Sequence, residues 1–329
     1  MTSATDRPYE IQPYAEPLAG EWDDFVLNGS CNGNLFHTRK FLSYHRADRF
    51  EDASVLLRDG GRIIAVVAAN RTEDGWFSHG GTSCGGPVMG LRHAGVGAAQ
   101  AVLATLQEHY AGRLSMRLCE PILAGSRNEL LLYLLHKTHE IQPEVSAYKP
   151  LAGIEDFVDS IPHKKTRSAT GKCFREGFCA QASEADADYE AFHQLLVGNL
   201  EGRHGTEPTH TLDELLQLRD ILGHRQILLL GRDADGNLCA AVWLIAATPQ
   251  SWHVQYIARD YSHPASCTVE ATLCKAMETV RDAGAQHLNI GICTEAGGTV
   301  LNTGLLRFKE SLGCLHHNRY LLTPKPTLG

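Results

Sequence analysis

The segment from Asn289 to Cys314, NIGICTEAGGTVLNTGLLRFKESLGC, limits the fold more than any other part of this sequence. It opens as a short apolar strand, Leu288 to Ile292. It breaks into a polar loop carrying Thr294, Glu295, Gly297, Gly298, Asn302 and Gly304, then resumes as an amphipathic helix from Leu305 to Leu312, with Gly313 placed to end it. Strand, glycine-rich loop and helix in that order belong to a layered α/β protein. Glycines let a main chain approach a ligand closely, and functional groups gather on such loops. The same pattern also serves as an ordinary connection.

The rest of the chain repeats this grammar. Helical material lies between residues 22 and 50, with Phe36, Phe41, Leu42 and Tyr44 as core. Strands follow at Ala53–Leu57 and Ile63–Asn70 around the turn Asp59-Gly60-Gly61, and a third ends at His79. After the loop Gly80-Gly81-Thr82-Ser83-Cys84-Gly85-Gly86-Pro87 come a helix at Ala94–Tyr110, a strand at Leu114–Leu118, a helix at Glu129–His139 and a strand near Tyr148–Leu151. A glycine loop between strand and helix can cradle a phosphate, but this one fits neither the Walker pattern nor a full GxGxxG context.

The second half has helices at Asp186–Leu200 and Leu212–Leu222. Strands Ile227–Gly231, Leu238–Ala246 and Trp252–Ala258 precede a helix at Cys267–Ala283, a strand at His287–Ile292, the helix at Leu305–Leu312 and a strand at Asn318–Leu322. The order is the same twice, which favours duplication. At 329 residues the chain suits two domains, and we place them at 1–153 and 154–329.

Composition excludes several classes. Lys+Arg 30 against Asp+Glu 38 gives a net charge of −8, which argues against broad nucleic-acid binding and against DNA as a partner. One basic run, His163–Arg175, could still form a groove for a phosphorylated donor or acceptor, although a solvated helix face explains such a run too. The uncharged stretch Leu238–Ala258 is interrupted by Pro249, Gln250, Ser251, His253 and Gln255, so it reads as two strands and a turn rather than a membrane helix. The stretch MTSATDRPYEIQ has no apolar signal core, and the ten cysteines show no CxxC or zinc spacing. Reduced thiols in a cytoplasmic protein without a metal are expected. Cys293 borders the key loop, where packing is its commoner role.

The run GLLRFKESLG resembles the K-x-x-(F/L)-G signature of Fem-type transferases, a branch of the GNAT superfamily with two GNAT-like domains in tandem. The preceding N-I-G-I-x-T-E-x-x-G-x-x-x-N-x-G-L resembles a subgroup encoded among cell-surface polysaccharide genes. Similarity continues at HKKTR (163–167), GRHGTEPTHTLDELLQLR (202–219) and WHVQYIA (252–258). It implies an α/β (α+β) fold in which each domain is a mixed central sheet flanked by helices, with the active site in the second.

The activity so implied is N-acyl transfer from an acyl-CoA thioester to an amine of a small or nucleotide-linked acceptor such as an amino sugar. Two alternatives stand beside it: a Fem-like transfer from aminoacyl-tRNA to a cell-wall precursor or natural product, and a degenerate binding module. The donor is a substrate, with no tightly bound cofactor. Expected partners are the acceptor and, in the first alternative, tRNA; membrane insertion is not expected, and a homodimer is left open.

Acyl transfer needs an amine that loses a proton, donors for the tetrahedral oxyanion, and a proton for the leaving group. Glu295 is the leading base, Lys309 the cation matching the family lysine, and Tyr261 the acid for the leaving group. Arg203, His204, Asn289, Asn302 and Lys40 are expected on the acceptor. Main-chain N–H groups at Gln255, Tyr256 and Ile257 are implied to polarise the carbonyl, with Ser262 and Ser266 on the donor. Where a typical GNAT has R/Q-x-x-G-x-G/A, this chain has Arg259-Asp260-Tyr261-Ser262-His263-Pro264-Ala265; serine and proline replace the glycines, and Pro264 has no N–H to give a pyrophosphate. Lys309 is expected beside an apolar set of Leu305, Phe308 and Leu312, its stem on the sheet edge and its ammonium in a cleft.

Overall fold

The computed structural model describes residues 9–46, 48–124, 127–204, 210–264 and 266–326, with only the backbone for 201–204. The chain forms two compact units. One comprises Met1–Val145, Thr294–Leu301 and His317–Gly329, the other Ser146–Cys293 and Asn302–His316.

The first unit holds strands β1 (Glu10–Pro13), β2 (Val55–Asp59), β3 (Arg62–Val67), β4 (Asn70–Thr72), β5 (Gly75–Ser78), β6 (Val88–Met89) and β7 (Leu114–Leu118). Strand β8 (His139–Pro150) begins here and ends in the second unit. Helices are α1 (Ala19–Asp24), α2 (Arg39–Leu42), α3 (Val96–His109), α4 (Pro121–Ala124) and α5 (Glu129–Leu135). The second unit adds α6 (Lys164–Arg175), β9 (Cys179–Ser183), α7 (Asp186–His204), α8 (Leu212–Leu222), β10 (Gln226–Arg232), β11 (Leu238–Thr248), β12 (Ser251–Arg259), α9 (Thr268–Asp282) and β13 (His287–Ile292). The hairpin β14 (Thr294–Glu295) and β15 (Val300–Leu301) returns to the first unit; α10 (Thr303–Ser311) lies in the second, and β16 (Leu315–Pro324) closes the first.

In the first unit the order β1-β2-β3-β6 forms one sheet and β4-β5-β7-β16-β8 another. Val102, Leu106 and Tyr110 of α3 and Leu131 and Leu135 of α5 share a core with Ile64, Val67, Met116, Leu118 and Leu322. In the second the order is β8-β13-β12-β11-β10-β9. Strand β11 is buried through most of its length, as a strand covered on both faces must be. Val269, Leu273, Ala276, Met277 and Val280 form one apolar stripe of α9 in the same core as Val242 and Leu244, while Phe192 of α7 packs edge-on to Trp243.

Both units have the strand order of a GNAT fold, and both are mixed α/β. Each is completed by an exchanged strand. The final strand of the first half, β8, runs antiparallel to β13, with Leu288 opposite Lys149. The final strand of the second half, β16, runs antiparallel to β7, with Tyr320 opposite Leu118. The compact units are therefore interleaved along the chain, and a division at Gly153 remains a proposal about the order of two duplicated halves.

Several local expectations are corrected. The helix expected at Glu129–His139 stops at Leu135, because His139 turns in to meet the Leu114 carbonyl at 3.0 Å and starts a twelve-residue strand. The glycine loop after His79 leads first into the short β6, and the expected helix follows as α3. The loop's glycines serve close packing: a Cβ on Gly85 would lie 1.7 Å from the Ser78 carbonyl oxygen, and one on Gly81 would strike His45.

An ionic triad ties three adjacent strands of the first unit. Glu144 on β8 accepts from Arg319 of β16 (2.7 Å) and Arg117 of β7 (3.1 Å) through the same carboxylate oxygen. The Glu144 side chain is 4% exposed, so it is costly to leave either partner alone. Glu144→Ala is expected to destabilise the protein by about 3–5 kcal/mol, measured by urea unfolding; an unchanged midpoint would refute the triad's role.

A second expectation concerns acid. Burial lowers the His79 pKa to about 4, and its Nδ1 accepts the Gly81 N–H at 3.0 Å. The unfolded imidazole titrates near about 6.5, so the folded state binds fewer protons between these values. Stability is present above pH 6.5 and falls as pH drops toward 4, by an amount on the order of 3 kcal/mol from this group. His79→Gln should flatten that part of the pH–stability curve.

Candidate active site

Strands β12 and β13 run parallel but stay paired only at Ser251–His253 opposite His287–Asn289. Both continue, β12 to Arg259 and β13 to Ile292, so they part like the arms of a V. Each strand carries a bulge where they part. On β12, Leu244 faces Val254 and Trp243 faces Tyr256, leaving Gln255 as the extra residue. On β13, Tyr148 faces Asn289 and Ala147 faces Gly291, leaving Ile290. Gly291 has φ +79°, a conformation that favours glycine.

Buried polar side chains hold this geometry. Asn289 is fully buried; its Oδ1 accepts the Gly291 N–H (3.0 Å) and the Ser146 hydroxyl (3.2 Å), so it braces the bulge. Lys309 is 2% exposed and donates to the carbonyls of Gly291 (2.8 Å) and Ile292 (2.9 Å). Asn302 caps α10 through the Leu305 N–H, and its own N–H reaches the Cys293 carbonyl. Burial pushes the Cys293 thiol upward in pKa, against the pull of Lys309, which suits packing and not nucleophilic attack.

The other flank of β12 is aromatic. The Tyr256 ring stacks on Trp243, with centroids 6.3 Å apart and planes 11° from parallel. Its hydroxyl is hydrogen-bonded to Nδ1 of buried His210. Gln226 fixes the neighbours, accepting from the Trp243 indole at 2.9 Å and the Tyr189 hydroxyl at 2.5 Å.

The loop after β12 is tightly organised. Asn199 brackets the Arg259 peptide, donating to its carbonyl and accepting from its N–H at 2.8 Å. The Arg259 guanidinium lies 5.3 Å from the Tyr261 ring centre. Ser262 gives both its N–H (2.8 Å) and its hydroxyl (2.6 Å) to Asp260, which holds that carboxyl below its ordinary pKa. His263 reaches Asp233 at 3.0 Å. Asp233, Cys239 and His263 bring ligand-type atoms within 4.8 Å of one another, but the Asp233 carboxylate already accepts the Asp235 and Asn237 N–H groups.

The expected site residues thus fall into several places. Asn289, Asn302 and Lys309 surround the end of β13, and Gln255, Tyr256 and Ile257 flank the β12 bulge. Tyr261 is 51% exposed, and Ser262 and Ser266 are exposed on the following loop. Glu295 is exposed on the β14–β15 hairpin and Lys40 is exposed on α2, both in the first unit. The Arg203 and His204 side chains lie outside the described residues. Two expectations about α10 change: Leu305 is 37% exposed while Leu306 packs on the core, and Lys309 is buried because the β13 carbonyls take all the reach of its stem. His210 carried no signal of its own; only the fold brings it to Tyr256.

Paired hairpins, a parallel pair that splits, and a helix crossing behind it define a tandem GNAT fold. Solved structures share that fold. A crystal structure of FemX superposes with a TM-score of 0.70 at 13% identity, over 95% of this chain and 96% of that one. L-PGS from Bacillus licheniformis gives 0.54 at 12% identity, over 80% and 82%. A tandem GNAT protein from the clavulanic acid biosynthesis pathway gives 0.54 at 11% identity, over 97% and 99%. At such identities the likeness is one of fold. No protein-family model and no curated protein matches the sequence.

Since Lys309 is buried on two carbonyls, its loss should be felt in stability, unlike that of a surface lysine. Lys309→Met is expected to cost roughly 2–4 kcal/mol, the usual scale for stranding buried acceptors, read from denaturant unfolding. A change below about 0.5 kcal/mol, the range of surface substitutions, would contradict the placement.

Proposed function

We propose that the second unit transfers an aminoacyl or acyl group to an amine, with an aminoacyl ester of tRNA as donor. The observation that carries this reading is the parting of β12 from β13 at a bulge on Gln255. Beyond His253 the β12 main chain has no ladder to β13, and N–H groups there can meet a developing oxyanion. The neutral amine attacks the donor carbonyl and forms the C–N bond. The carbonyl oxygen takes the charge; as it re-forms, the C–O bond to the ribose breaks. The amine must give up a proton and the departing ribose oxygen must gain one. The Tyr256 hydroxyl, linked to His210, is the group we assign to that exchange.

The loop supports an ester donor over CoA. Pro264 has no N–H, the Ser262 hydroxyl is turned onto Asp260, and the ionised Asp260 would repel a pyrophosphate. The exposed lysines 164 and 165 and Arg175 of α6 suit a polyanionic partner. The second reading, an acyl-CoA donor, is favoured by one feature: Cys267 offers no side-chain cap to α9, whose first-turn N–H groups can then take an anion. The acceptor in both readings is a small or nucleotide-linked amine. Glu295 as the base, Tyr261 as the leaving-group acid, and Arg203, His204 and Lys40 on the acceptor remain proposals, and Lys309 acts by positioning β13.

The test supplies full-length protein with charged tRNA and UDP-linked amines and follows the amide by mass spectrometry. Tyr256→Phe and His210→Ala should lower kcat by roughly 10²–10⁴-fold with unchanged fold. Acetyl-CoA should not bind in calorimetry. Micromolar CoA binding that is lost on adding bulk at Ser266 would select the second reading.

A further inference from the structure

A cavity of about 700 Å³ opens in the first unit, at the end of the α3 helix and the start of β7. Its volume falls within the range of small-molecule sites, about 300–1,000 Å³. An apolar strip of the wall comes from Leu103 and Leu106 of α3, Met116 of β7 and Leu134 of α5, bordered by Gln100, Gln107 and Thr138. Leu103 and Leu134 are only half-buried, although apolar.

The charged groups are of one sign. Arg113, Lys137 and Lys325 line the cavity, and among the described residues none of its lining side chains is acidic. Two of these cations are held in place: the Arg113 guanidinium lies 5.2 Å from the Trp76 ring centre, and Lys325 donates to the His136 carbonyl at 2.8 Å. His139 adds no charge, since its Nε2 faces the Leu114 carbonyl and burial lowers its pKa. In a protein of net charge −8, three cations beside an apolar trough, with no acid among the described lining residues, is a specific complement.

We propose that this cavity binds a single-chain lipid anion. The aliphatic tail of a fatty carboxylate lies along Leu103, Leu106, Met116 and Leu134, and the carboxylate sits among Arg113, Lys137 and Lys325. Apolar burial of the chain supplies the affinity, and the cations select the sign of the head. This site is independent of the transferase reading, because all its residues belong to the first unit.

The test titrates the full chain, freed of lipid, with dodecanoate below its micelle concentration. Binding at micromolar Kd is expected, with acetate and dodecyltrimethylammonium at least about tenfold weaker. Lys137→Glu with Lys325→Glu should weaken dodecanoate by a similar factor, and Leu134→Trp should block it. Should either variant fold poorly, hydrogen exchange on the wild-type protein decides: dodecanoate should protect residues 103–114 and 134–139. Absent binding, equal binding of the cationic surfactant, protection elsewhere, or tighter binding of dodecyl phosphate would each overturn the assignment of a fatty carboxylate.

Discussion

A lysine ammonium out of water is the interaction on which the second unit's site depends. A buried charge is costly unless its hydrogen bonds are met, and Lys309 meets them with the last two carbonyls of β13. Those carbonyls lie beyond the point where β13 leaves β12, while Gly291 and Ile292 stay paired with Ala147 and Ser146 of β8. Lys309 thus supports β13 where only one neighbouring strand still pairs with it. Asn289 does the complementary work one turn of the bulge earlier, taking the Gly291 N–H. The split between the strands is a built feature with its own polar support.

Around that split the chemistry is unevenly distributed. The aromatic flank of β12 is rigid: Tyr256 is stacked on Trp243, and Trp243 is pinned through Gln226. The loop beyond it spends its polar groups on itself, in the Asp260–Ser262 and His263–Asp233 pairs. In that loop the Ser262 donors are committed to Asp260, and the Arg259 guanidinium lies beside Tyr261. In the proposed reading, donor selectivity rests on this one short loop, while β12 would face the oxyanion with either donor.

The sequence made the element order readable because the apolar periods are strong. Strand β11 and helix α9 declare themselves by a continuous apolar run and a clean stripe. Strand β8 was far less legible: the sequence suggests a strand only near Tyr148–Leu151, yet β8 runs from His139 to Pro150 and buries Glu144, Ser146 and Lys149 against partners from distant parts of the chain. The same limit applies to the site. A local motif marked Lys309, Asn302 and Asn289 as a group, but a lysine on a helix reads as exposed until the carbonyls of residues 291 and 292 are placed above it. The Tyr256–His210 pair spans 46 residues and has no local pattern at all.

The exchange of terminal strands has a consequence for how the chain is made. A ribosome delivers the N-terminal half first, with β7 ready, but β7's neighbour β16 emerges only after the strands and helices of the second half. Until then an edge of β7 is uncovered, and exposed edges invite pairing with other chains. Strand β8 waits in the same way for β13. From the emergence of β7 to that of β16 the nascent chain carries an unfinished sheet, and its solubility during that interval depends on whatever shields those edges in the cell.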